Sequence, residues 1–547
     1  MPSSTRALAT GFVPHRSDLA EQYRSARLFD DRPLWTTLAD RADSDARAVS
    51  DDDGRSLTYR EFAAAADRRA AGFAATGLES GDRVVLQLHN SVEFAVTFFG
   101  LLRAGLVPVM TLPAHRISEI AHLAAGSGAR AYVCDDARGG FDFRDLAAEL
   151  RSRVPDIEHV FVNGEPGAFA PLPAADVAWT PPTVDPDLPA IFLVSGGTTG
   201  LPKLIARTHN DYAFNARTSA EIARLTADDV YLAALPAAHN FPLCCPGLLG
   251  MIGAGGHTVF TRNPSPDAAF DVIEKHRVTV TALVPALAQL WCAATEWEPA
   301  DISSLRLLQV GGAKLSSPDA AAIDTAMGPV VQQVFGMAEG LICYTRLDDD
   351  RDLVHVSQGA PMSGFDEVRI VDEDGREVAD GDEGELQVRG PYTIRGYYRA
   401  PEHNARSFTA DGFYASGDLV RRLPSGHLSV TGRIKDTIVR AGENVAADDV
   451  EEHLLAHPAI AHTAVVGLPD DALGELICAV VVPGRDADAP SLPDIRSFLA
   501  DRGLASFKLP DRVHALGSLP VTSVGKIDKA SLRTSLAQQK CAAPTRM

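Results

Sequence analysis

Apolar and polar residues alternate between helical and strand-like patterns along the first part of the chain. Residues 58–78, TYREFAAAADRRAAGFAATGL, carry apolar side chains at helical spacing, and residues 82–88, DRVVLQL, form a short apolar run typical of a strand. A second helical pattern at 91–105 and a second strand pattern at 106–112 follow. Strand, helix and strand in this order predict a parallel sheet.

Short apolar runs continue this architecture over most of the chain. A proline-rich connector leads into the run AIFLV at 190–194, and further strands between helices are predicted at 229–235, 257–261, 278–284 and 305–312. Two later segments, 367–375 and 384–390, have the pattern of short antiparallel β elements. The pattern therefore predicts a large α/β domain with parallel-rich sheets.

The pattern changes near Lys435 to a short α+β unit. Helices are predicted at 447–458 and 492–503, and strands at 461–469 and 475–484. A chain of 547 residues is also too long for one ordinary hydrophobic core. We therefore predict two domains, 1–434 and 435–547.

Composition narrows the partners and the compartment. The chain has 51 basic and 72 acidic residues, a net charge of -21, which argues against nucleic acid as a partner. Its seven cysteines show no CxxC spacing, so a reducing cytoplasm fits better than a disulfide framework or a zinc site. Neither a signal peptide nor a membrane span is expected, because no apolar run is long enough.

The segment SGGTTGLPK, residues 195–203, directly follows the predicted strand AIFLV. Glycines allow a tight turn that points successive N–H groups at one place, while hydroxyls add donors and a lysine adds charge. The segment is not a Walker A loop, because Leu201 and Pro202 separate Gly200 from Lys203. We predict a polyphosphate site formed by Ser195, Gly196, Gly197, Thr198, Thr199, Gly200 and Lys203.

Four more motifs follow this segment in order: VFGMAEG, YASGD, GRIKDTIVRAGENV and PVTSVGKIDK. Together they resemble the core motifs of the adenylate-forming superfamily of acyl-CoA synthetases, peptide-synthetase adenylation domains and luciferases. Within that superfamily, LPAAHNFPLCCPG and GMAEGLICYTRLDD resemble the freestanding aryl-acid AMP ligases. The resemblance implies a small β-barrel-like part in the N-terminal domain and a small, mobile α+β C-terminal domain.

The resemblance also implies a reaction in two steps. An aromatic carboxylate first attacks the α-phosphate of ATP and gives aryl-AMP and pyrophosphate. A phosphopantetheine thiol on a separate aryl carrier protein then accepts the aryl group, as in siderophore or related nonribosomal peptide assembly. The cofactors implied are ATP and Mg²⁺.

Several N-terminal positions acquire roles from this resemblance. Glu339, after a tight turn predicted at 336–338, would bind Mg²⁺ together with Thr199, since a hard cation beside phosphates needs oxygen ligands. Phe335 would lie on adenine, and Gly311 and Gly312 would admit the base closely. The nucleotide-binding positions of this segment are Val334, Phe335, Gly336, Met337 and Ala338.

Four later residues would serve the nucleotide and the chemistry. Asp418 would accept from the ribose hydroxyls, with a turn aspartate as the alternative, and Arg433 would hold ribose or phosphate oxygens. Lys435 matches the hinge of the superfamily. Lys526 would carry the adenylation step, because a positioned ammonium stabilises the charge that moves between carboxylate, phosphate and pyrophosphate. The small domain would then rotate about Lys435, withdraw Lys526 and present residues 441–444 to the thiol.

The acid is predicted from the segment around Asn240. Amino-acid-activating relatives have aspartate here, and because Asn240 is neutral, a substrate with an α-ammonium is disfavoured. His239, which is also a catalytic candidate, and Phe241 would flank the ring. Cys245 and Ile342 stand where 2,3-dihydroxybenzoate ligases usually have serine and valine, which favours salicylate or a methylsalicylate. The substrate positions are Asn240, Phe241, Cys245, Gly312 and Ile342.

Three alternatives stay open at this point. The acid could be 2,3-dihydroxybenzoate, since one methylene discriminates weakly in an apolar pocket. The acceptor could be free coenzyme A, although no basic cluster for its phosphates is conspicuous in the small domain. A nucleotide-binding sensor without catalysis is disfavoured by the presence of Lys526, Glu339 and Asp418.

Overall fold

The computed structural model describes residues 3–195, 202–440, 443–470, 473–485, 487–502, 504–522 and 525–541. Within these ranges the chain forms two compact units. The first contains the chain up to Glu367 together with Val388–Tyr414, and the second contains Val368–Gln387 together with the chain from Ala415 onwards. None of the helices in the described part of the chain has the length and apolar content needed to span a bilayer.

The first unit consists of two large sheets and the helices that cover them. Its strands are β1 (Arg47–Asp51), β2 (Ser56–Thr58), β3 (Arg83–Gln87), β4 (Val107–Met110), β5 (Ala129–Asp135), β6 (Ala137–Arg138), β7 (Phe141–Asp142), β8 (His159–Asn163), β9 (Ala170–Pro171), β10 (Pro189–Val194), β11 (Leu204–Thr208), β12 (Val230–Ala233), β13 (His257–Phe260), β14 (Val280–Leu283), β15 (Leu307–Gly311), β16 (Val331–Met337), β17 (Gly340–Tyr344) and β18 (Ala360–Pro361). Its helices are α1 (Ser3–Gly11), α2 (Ser17–Ser25), α3 (Thr36–Ala39), α4 (Tyr59–Ala74), α5 (Val92–Arg103), α6 (Ile117–Ser127), α7 (Phe143–Arg153), α8 (His209–Ile222), α9 (Asn240–Cys244), α10 (Gly247–Ala254), α11 (Pro266–His276), α12 (Pro285–Ala294), α13 (Ser317–Met327), α14 (Arg351–Val356) and α15 (Pro401–Ser407).

Apart from the short antiparallel pair β6–β7, the strands of the first unit pair in two mostly parallel sheets. One sheet has the order β11-β10-β4-β3-β5-β8-β9, and the other has the order β18-β17-β16-β15-β14-β12-β13-β1-β2. Helices α4 and α5 start at side-chain caps: Thr58 accepts from the Glu61 N–H, and Ser91 accepts from the Phe94 N–H. Their apolar faces are buried, which explains why the predicted strand–helix–strand order forms a parallel sheet.

The second unit contains a four-stranded sheet followed by an α+β part. Its elements are β19 (Glu367–Val371), β20 (Glu383–Arg389), β21 (Tyr414–Arg422), β22 (Leu428–Arg433), a 3₁₀ turn (Ile434–Asp436), β23 (Thr437–Arg440), β24 (Glu443–Ala446), α16 (Ala447–Leu455), β25 (Ile460–Asp470), β26 (Gly474–Pro483), α17 (Leu492–Asp501), a second 3₁₀ turn (Ser506–Lys508), β27 (Arg512–Ala515) and α18 (Lys529–Cys541). The first sheet has the order β19-β20-β21-β22.

The α+β part of the second unit has a core of its own. Its sheet has the order β24-β23-β26-β25, with β27 beside β26. Apolar side chains of α16 and α17 pack on one face, and Leu532 and Leu536 of α18 pack in a second cluster. The predicted fold class, a parallel-rich α/β domain with a smaller α+β domain, is confirmed. The domain boundary at Lys435 lies inside the second unit and stays a prediction.

Candidate active site

The glycine-rich segment connects two antiparallel strands, β10 and β11. Their register brings Ser195 and Lys203 together: the Ser195 N–H donates to the Lys203 carbonyl at 3.0 Å, and the Lys203 N–H donates to the Ser195 Oγ at 3.0 Å. The two ends of the segment are therefore held next to each other. The predicted phosphate-binding residues between them lie outside the described residues: Gly196, Gly197, Thr198, Thr199 and Gly200.

Glu339 lies in the turn that joins β16 to β17. The tight turn predicted at 336–338 is wrong in its position, because β16 continues through Met337. Gly336 pairs with Ile342 and Met337 pairs with Gly340, so their backbone groups belong to the antiparallel ladder. The turn itself consists of Ala338 and Glu339.

The carboxylate of Glu339 is held by Tyr397, which in turn contacts Tyr414. Tyr397 donates its hydroxyl to Glu339 Oε1 at 2.7 Å, and the Tyr397 and Tyr414 hydroxyl oxygens are 2.9 Å apart. Burial and the neighbouring carboxylate raise the pKa of Tyr397 far above its usual range, so it remains a donor. Tyr397 therefore fixes one oxygen of Glu339, a contact that the sequence pattern does not predict.

The surroundings of Glu339 fit an ion that is bound mainly by nucleotide. Within the described ranges, no group of three or more His, Cys, Asp and Glu side chains is arranged to hold a metal. Mg²⁺ beside phosphates commonly takes one or two protein carboxylates and completes its shell with phosphate and water oxygens. Glu339, one oxygen of which is held by Tyr397, is suited to this part. The other predicted ligand, Thr199, lies outside the described residues.

The predicted adenine residues lie on the neighbouring strands β15 and β16. Phe335 is half-buried and Val334 is buried. A Cβ on Gly311 would meet the Val334 carbonyl at 2.6 Å and the Phe241 ring at 3.2 Å, so Gly311 leaves space for Phe241. Gly312 has a φ of 84°, in the region that favours glycine. These strands therefore connect the predicted nucleotide and acid positions.

Two of the residues predicted to contact the acid, Asn240 and Phe241, begin the short helix α9. His239 precedes the helix, and its Nδ1 accepts from the Phe241 N–H at 3.3 Å. This bond is an N-cap, in which a side chain satisfies one of the first N–H groups of the helix. Asn240 and Phe241 are both buried, and His239 is half-buried.

Asn240 is fixed by two buried partners. The Tyr212 hydroxyl donates to Asn240 Oδ1 at 2.8 Å, and Asn240 Nδ2 donates to Cys245 Sγ at 3.5 Å. Burial raises the pKa of Tyr212 far above its usual range, which keeps the hydroxyl protonated. The amide oxygen is therefore directed at Tyr212, and the amide nitrogen is directed at Cys245.

Cys245 and Ile342 are both buried, at 3% and 1% exposure. Burial raises the pKa of Cys245 to about 12, so the thiol is protonated at neutral pH. A protonated, buried thiol is a poor nucleophile, which agrees with the interpretation of Cys245 as a residue of the pocket. The Ile342 N–H donates to the Tyr392 hydroxyl at 3.1 Å, which fixes its backbone.

A buried arginine, Arg207, connects the turn that carries Glu339 to helix α9, which carries Asn240. Arg207 is fully buried, and its Nε donates to Asp211 Oδ1 at 2.7 Å. One of its terminal nitrogens donates to the Ala338 carbonyl at 3.1 Å, directly before Glu339. The other donates to Asn215 Oδ1 at 3.5 Å, and Asn215 in turn donates to the Cys244 carbonyl at 2.8 Å. Arg207 therefore joins the Glu339 turn to the helix that carries Asn240.

The second unit holds Asp418, Arg433 and Lys435 close together. Asp418 is buried on β21 and lies opposite Arg433 on β22, and Arg433 Nε is 2.8 Å from Asp418 Oδ1. The Asp418 carboxylate raises the pKa of Arg433. Burial lowers the pKa of Lys435 in the adjacent 3₁₀ turn, and the positive charge of Arg433 lowers it further. Asp418 is therefore a strand residue with a cationic partner.

Lys526 lies at the end of a short hairpin in the second unit. The Thr522 N–H donates to the Lys526 carbonyl at 2.7 Å, and the Lys526 N–H donates to Thr522 Oγ1 at 3.2 Å. Val521 and Ile527 pair as an antiparallel bridge beside them. The backbone of Lys526 is thus fixed by local bonds. The segment predicted to face the thiol, 441–444, is described only from Glu443 onwards.

Two protein-family profiles match the chain over most of its length. The AMP-binding enzyme family matches residues 37–398, and the AMP-binding enzyme C-terminal domain matches residues 449–526. The chain belongs to the AMP-binding enzyme family. Use of ATP goes with membership of this family, and the predicted superfamily is confirmed.

Individual members of the family are similar over almost the whole chain. The salicyl-AMP ligase / salicyl-S-ArCP synthetase of Mycobacterium tuberculosis is 53% identical over 95% of this chain and 94% of its own length. The 2,3-dihydroxybenzoate-AMP ligase of Bacillus subtilis is 47% identical over 97% of this chain and 98% of its own. The apo structure of Mycobacterium smegmatis MbtA covers 96% of this chain and 99% of its own, with a TM-score of 0.76 and 53% identity. The predicted resemblance to freestanding aryl-acid ligases is confirmed.

Proposed function

We propose that this enzyme activates an aromatic carboxylic acid, with salicylate or a methylsalicylate preferred. It converts the acid and ATP to aryl-AMP and pyrophosphate, and then transfers the aryl group to the phosphopantetheine thiol of a separate aryl carrier protein. The product would enter siderophore or related nonribosomal peptide synthesis. Because the chain's cysteine pattern is that of a reducing compartment, we place the reaction in the cytoplasm.

The observation that carries this proposal is the neutral, oriented amide of Asn240. Tyr212 occupies its oxygen and Cys245 receives one of its N–H groups. An asparagine amide has two N–H donors, and we assign the second to the oxygen ortho to the carboxylate of the acid. An amide N–H favours an acceptor such as a phenol oxygen and disfavours an ammonium group.

The preference for salicylate rests on Cys245 and Ile342. A thiol is a weaker hydrogen-bond partner than the serine hydroxyl that it replaces in 2,3-dihydroxybenzoate ligases, so it stabilises a second ring hydroxyl less. Both side chains are buried, and isoleucine takes one methylene more than valine. The 53% identity with a salicyl-AMP ligase supports the same acid.

We assign the nucleotide to the glycine-rich segment and to β16. Phe335 contacts adenine, and Lys203 with the segment before it contacts the phosphates. Glu339 would hold Mg²⁺, while Tyr397 donates to the Oε1 oxygen of the same carboxylate. When bound, this ion would neutralise phosphate charge. The other residues that we assign to the nucleotide or its phosphates are Ser195, Gly196, Gly197, Thr198, Thr199, Gly200, Gly311, Gly312, Val334, Gly336, Met337 and Ala338.

In the second unit we assign ribose binding to Asp418 and Arg433. The carboxylate of Asp418 accepts from the ribose hydroxyls, and Arg433 next to it supplies positive charge. Lys435 serves as the hinge of a mobile C-terminal domain that spans residues 435–547. Lys526 is the catalytic lysine of the adenylation step.

A panel of benzoates tests the choice of acid. ATP–pyrophosphate exchange with salicylate should exceed exchange with 2,3-dihydroxybenzoate, because Cys245 binds the second hydroxyl weakly; a difference of about tenfold is the scale expected for such a contact. Phenylalanine should give no exchange above background, since Asn240 offers no counter-charge to its ammonium group. A tenfold preference for 2,3-dihydroxybenzoate would contradict the roles of Cys245 and Ile342. A preference for phenylalanine would contradict the role of Asn240.

The acceptor is tested separately from the acid. Coenzyme A and a phosphopantetheinylated aryl carrier protein are each added to enzyme that has formed aryl-AMP, and aryl thioester is measured by mass spectrometry. The carrier should be the better substrate at equal concentration. A faster reaction with coenzyme A would make the enzyme an aryl-CoA ligase while leaving the first half-reaction as proposed.

A further inference from the structure

A buried lysine begins helix α18, a short distance after Lys526. The Lys529 ammonium is 2.9 Å from Asp448 Oδ1 and 2.8 Å from Glu451 Oε1, both on helix α16. Its side chain is only 15% exposed. Glu451 Oε1 also accepts from the Val465 N–H of β25 at 2.5 Å. Lys529 therefore joins the first turn of α18 to α16 and, through Glu451, to the central sheet of this part.

The position of Lys529 is unfavourable for α18 taken alone. A cation at a helix N-terminus opposes the helix dipole, and burial of an ammonium costs free energy unless it is paired. Asp528 already caps this helix terminus with a negative charge: its carboxylate accepts from the Ser531 N–H at 3.0 Å and from the Ser531 hydroxyl at 2.7 Å. The stabilising partners of Lys529 are thus on α16, where Asp448 lies in the first turn and suits the helix dipole.

The charges of this cluster keep Lys529 protonated. Burial alone would lower the pKa of Lys529, but the carboxylates of Glu451 and Asp448 raise it above the usual lysine range. Burial raises the pKa of Glu451 to about 7, although the Lys529 ammonium opposes that shift. Loss of the ammonium would leave Glu451 buried without its cation, which makes the pair a firm connection between the two helices.

The backbone transmits this connection to Lys526. Only two residues, Ile527 and Asp528, lie between Lys526 and Lys529 in the sequence. The intervening Asp528 N–H donates to the Pro520 carbonyl at 2.8 Å, at the base of the hairpin whose strands pair through Val521 and Ile527. The base of the hairpin is therefore bonded at the residue that directly precedes α18. Fixing the start of α18 against α16 fixes the direction of the hairpin.

We propose that Lys529 is a positioning residue for the adenylation step: its ion pair with Asp448 and Glu451 holds the Lys526 hairpin at a fixed angle to α16. The proposal rests on the proposed catalytic role of Lys526. It assigns to Lys529 no contact with ATP or with the acid. Its effect is therefore confined to the half-reaction that needs Lys526.

The test compares the two half-reactions in Lys529→Met, Lys529→Arg and a matched control. The control is Lys508→Met, since Lys508 also pairs with α16, through Asp449 Oδ2 at 2.6 Å, but lies outside the hairpin. Exchange with salicylate measures adenylation. Transfer of the aryl group from supplied salicyl-AMP to a carrier thiol measures the second step, and thermal unfolding measures stability.

In Lys529→Met, exchange should fall about 30-fold while transfer stays within about twofold of the unchanged protein, because only the first step uses Lys526. Lys529→Arg should recover most of the exchange, and Lys508→Met should leave both steps unchanged. The double variant Lys526→Ala/Lys529→Met should exchange no more slowly than Lys526→Ala, since both changes disable the same function, that of Lys526.

Three results would overturn the proposal: unchanged exchange in Lys529→Met, equal loss of both half-reactions, or additive losses in the double variant. If Lys529→Met does not fold, Asp448→Asn provides the test, because it keeps Glu451 as a partner. It should lower exchange several-fold and spare transfer; unchanged exchange would overturn the proposal there too. An unaltered protein that gave no exchange with any benzoate would instead contradict the proposed function, on which the role of Lys529 depends.

Discussion

Lys526→Ala is expected to slow ATP–pyrophosphate exchange with salicylate by about 10²–10³-fold, the usual effect of removing one preorganised charge from a site of charge transfer. The second half-reaction, measured from supplied salicyl-AMP, should stay close to that of the unchanged protein. This difference arises because negative charge moves onto pyrophosphate only in the first step. Single-turnover measurements of the two steps provide the comparison.

Lys275→Ala is the matched control for this change. Lys275 is exposed near the end of α11 in the first unit, so its removal takes away the same charge at a position without a proposed role. It should leave exchange unchanged. Full exchange in Lys526→Ala would contradict the assignment of Lys526 to the adenylation step.

Asn240→Asp is expected to lower kcat/KM for salicylate by about 10²-fold or more, since a buried carboxylate would face an anionic acid. The replacement is nearly isosteric, so the loss reports charge and hydrogen bonding more than volume. Burial raises the pKa of such a carboxyl group, and the loss should therefore be smaller at low pH, where the group is neutral. Exchange assays from acid to neutral pH measure both effects.

Asn240→Ala separates the charge from the lost hydrogen bonds. It removes the amide that Tyr212 and Cys245 hold, without adding a carboxylate, and should lower kcat/KM by about tenfold.

The ratio of kcat/KM for anthranilate to kcat/KM for salicylate should rise in Asn240→Asp, because an amino group can donate to the new carboxylate. Values for Asn240→Asp within about threefold of the unchanged protein would contradict the pocket assigned to the acid.

The regular part of the fold follows from local pattern. The strand predicted at 82–88 is β3 (Arg83–Gln87), and the helix predicted at 91–105 is α5 (Val92–Arg103). Both are recognisable because burial in a parallel sheet requires continuous apolar runs, and helices that cover it require an apolar face. The ends differ by one or two residues, since caps such as Ser91 set the first helical turn.

Helix α9 shows where local pattern is insufficient. Its five residues include Pro242 and lack the length for a helical period. The helix begins because the side chain of His239 accepts from the Phe241 N–H, a contact that depends on the conformation of the chain before it. The motif around Asn240 indicated a pocket from the sequence, whereas its helical form required the structure.

The partners of the proposed site residues were also beyond sequence reasoning. Tyr212 is 28 positions from Asn240, and Tyr397 is 58 positions from Glu339. Such pairs are brought together by the packing of separate elements, and a tyrosine in a helix or a loop carries no local signal of its partner. The same holds for Arg207, whose contact with Ala338 spans 131 positions. Motifs predicted the reacting groups, and tertiary packing determines how those groups are oriented.

The products formed without a thiol acceptor test the central claim most directly. The protein is incubated with salicylate, ATP and Mg²⁺, and the nucleotide and aryl products are quantified by mass spectrometry together with pyrophosphate. We expect salicyl-AMP and pyrophosphate in equal amounts, limited to the amount of enzyme until a thiol is added. Formation of ADP and orthophosphate, or the absence of any aryl nucleotide with the whole benzoate panel, would contradict the account.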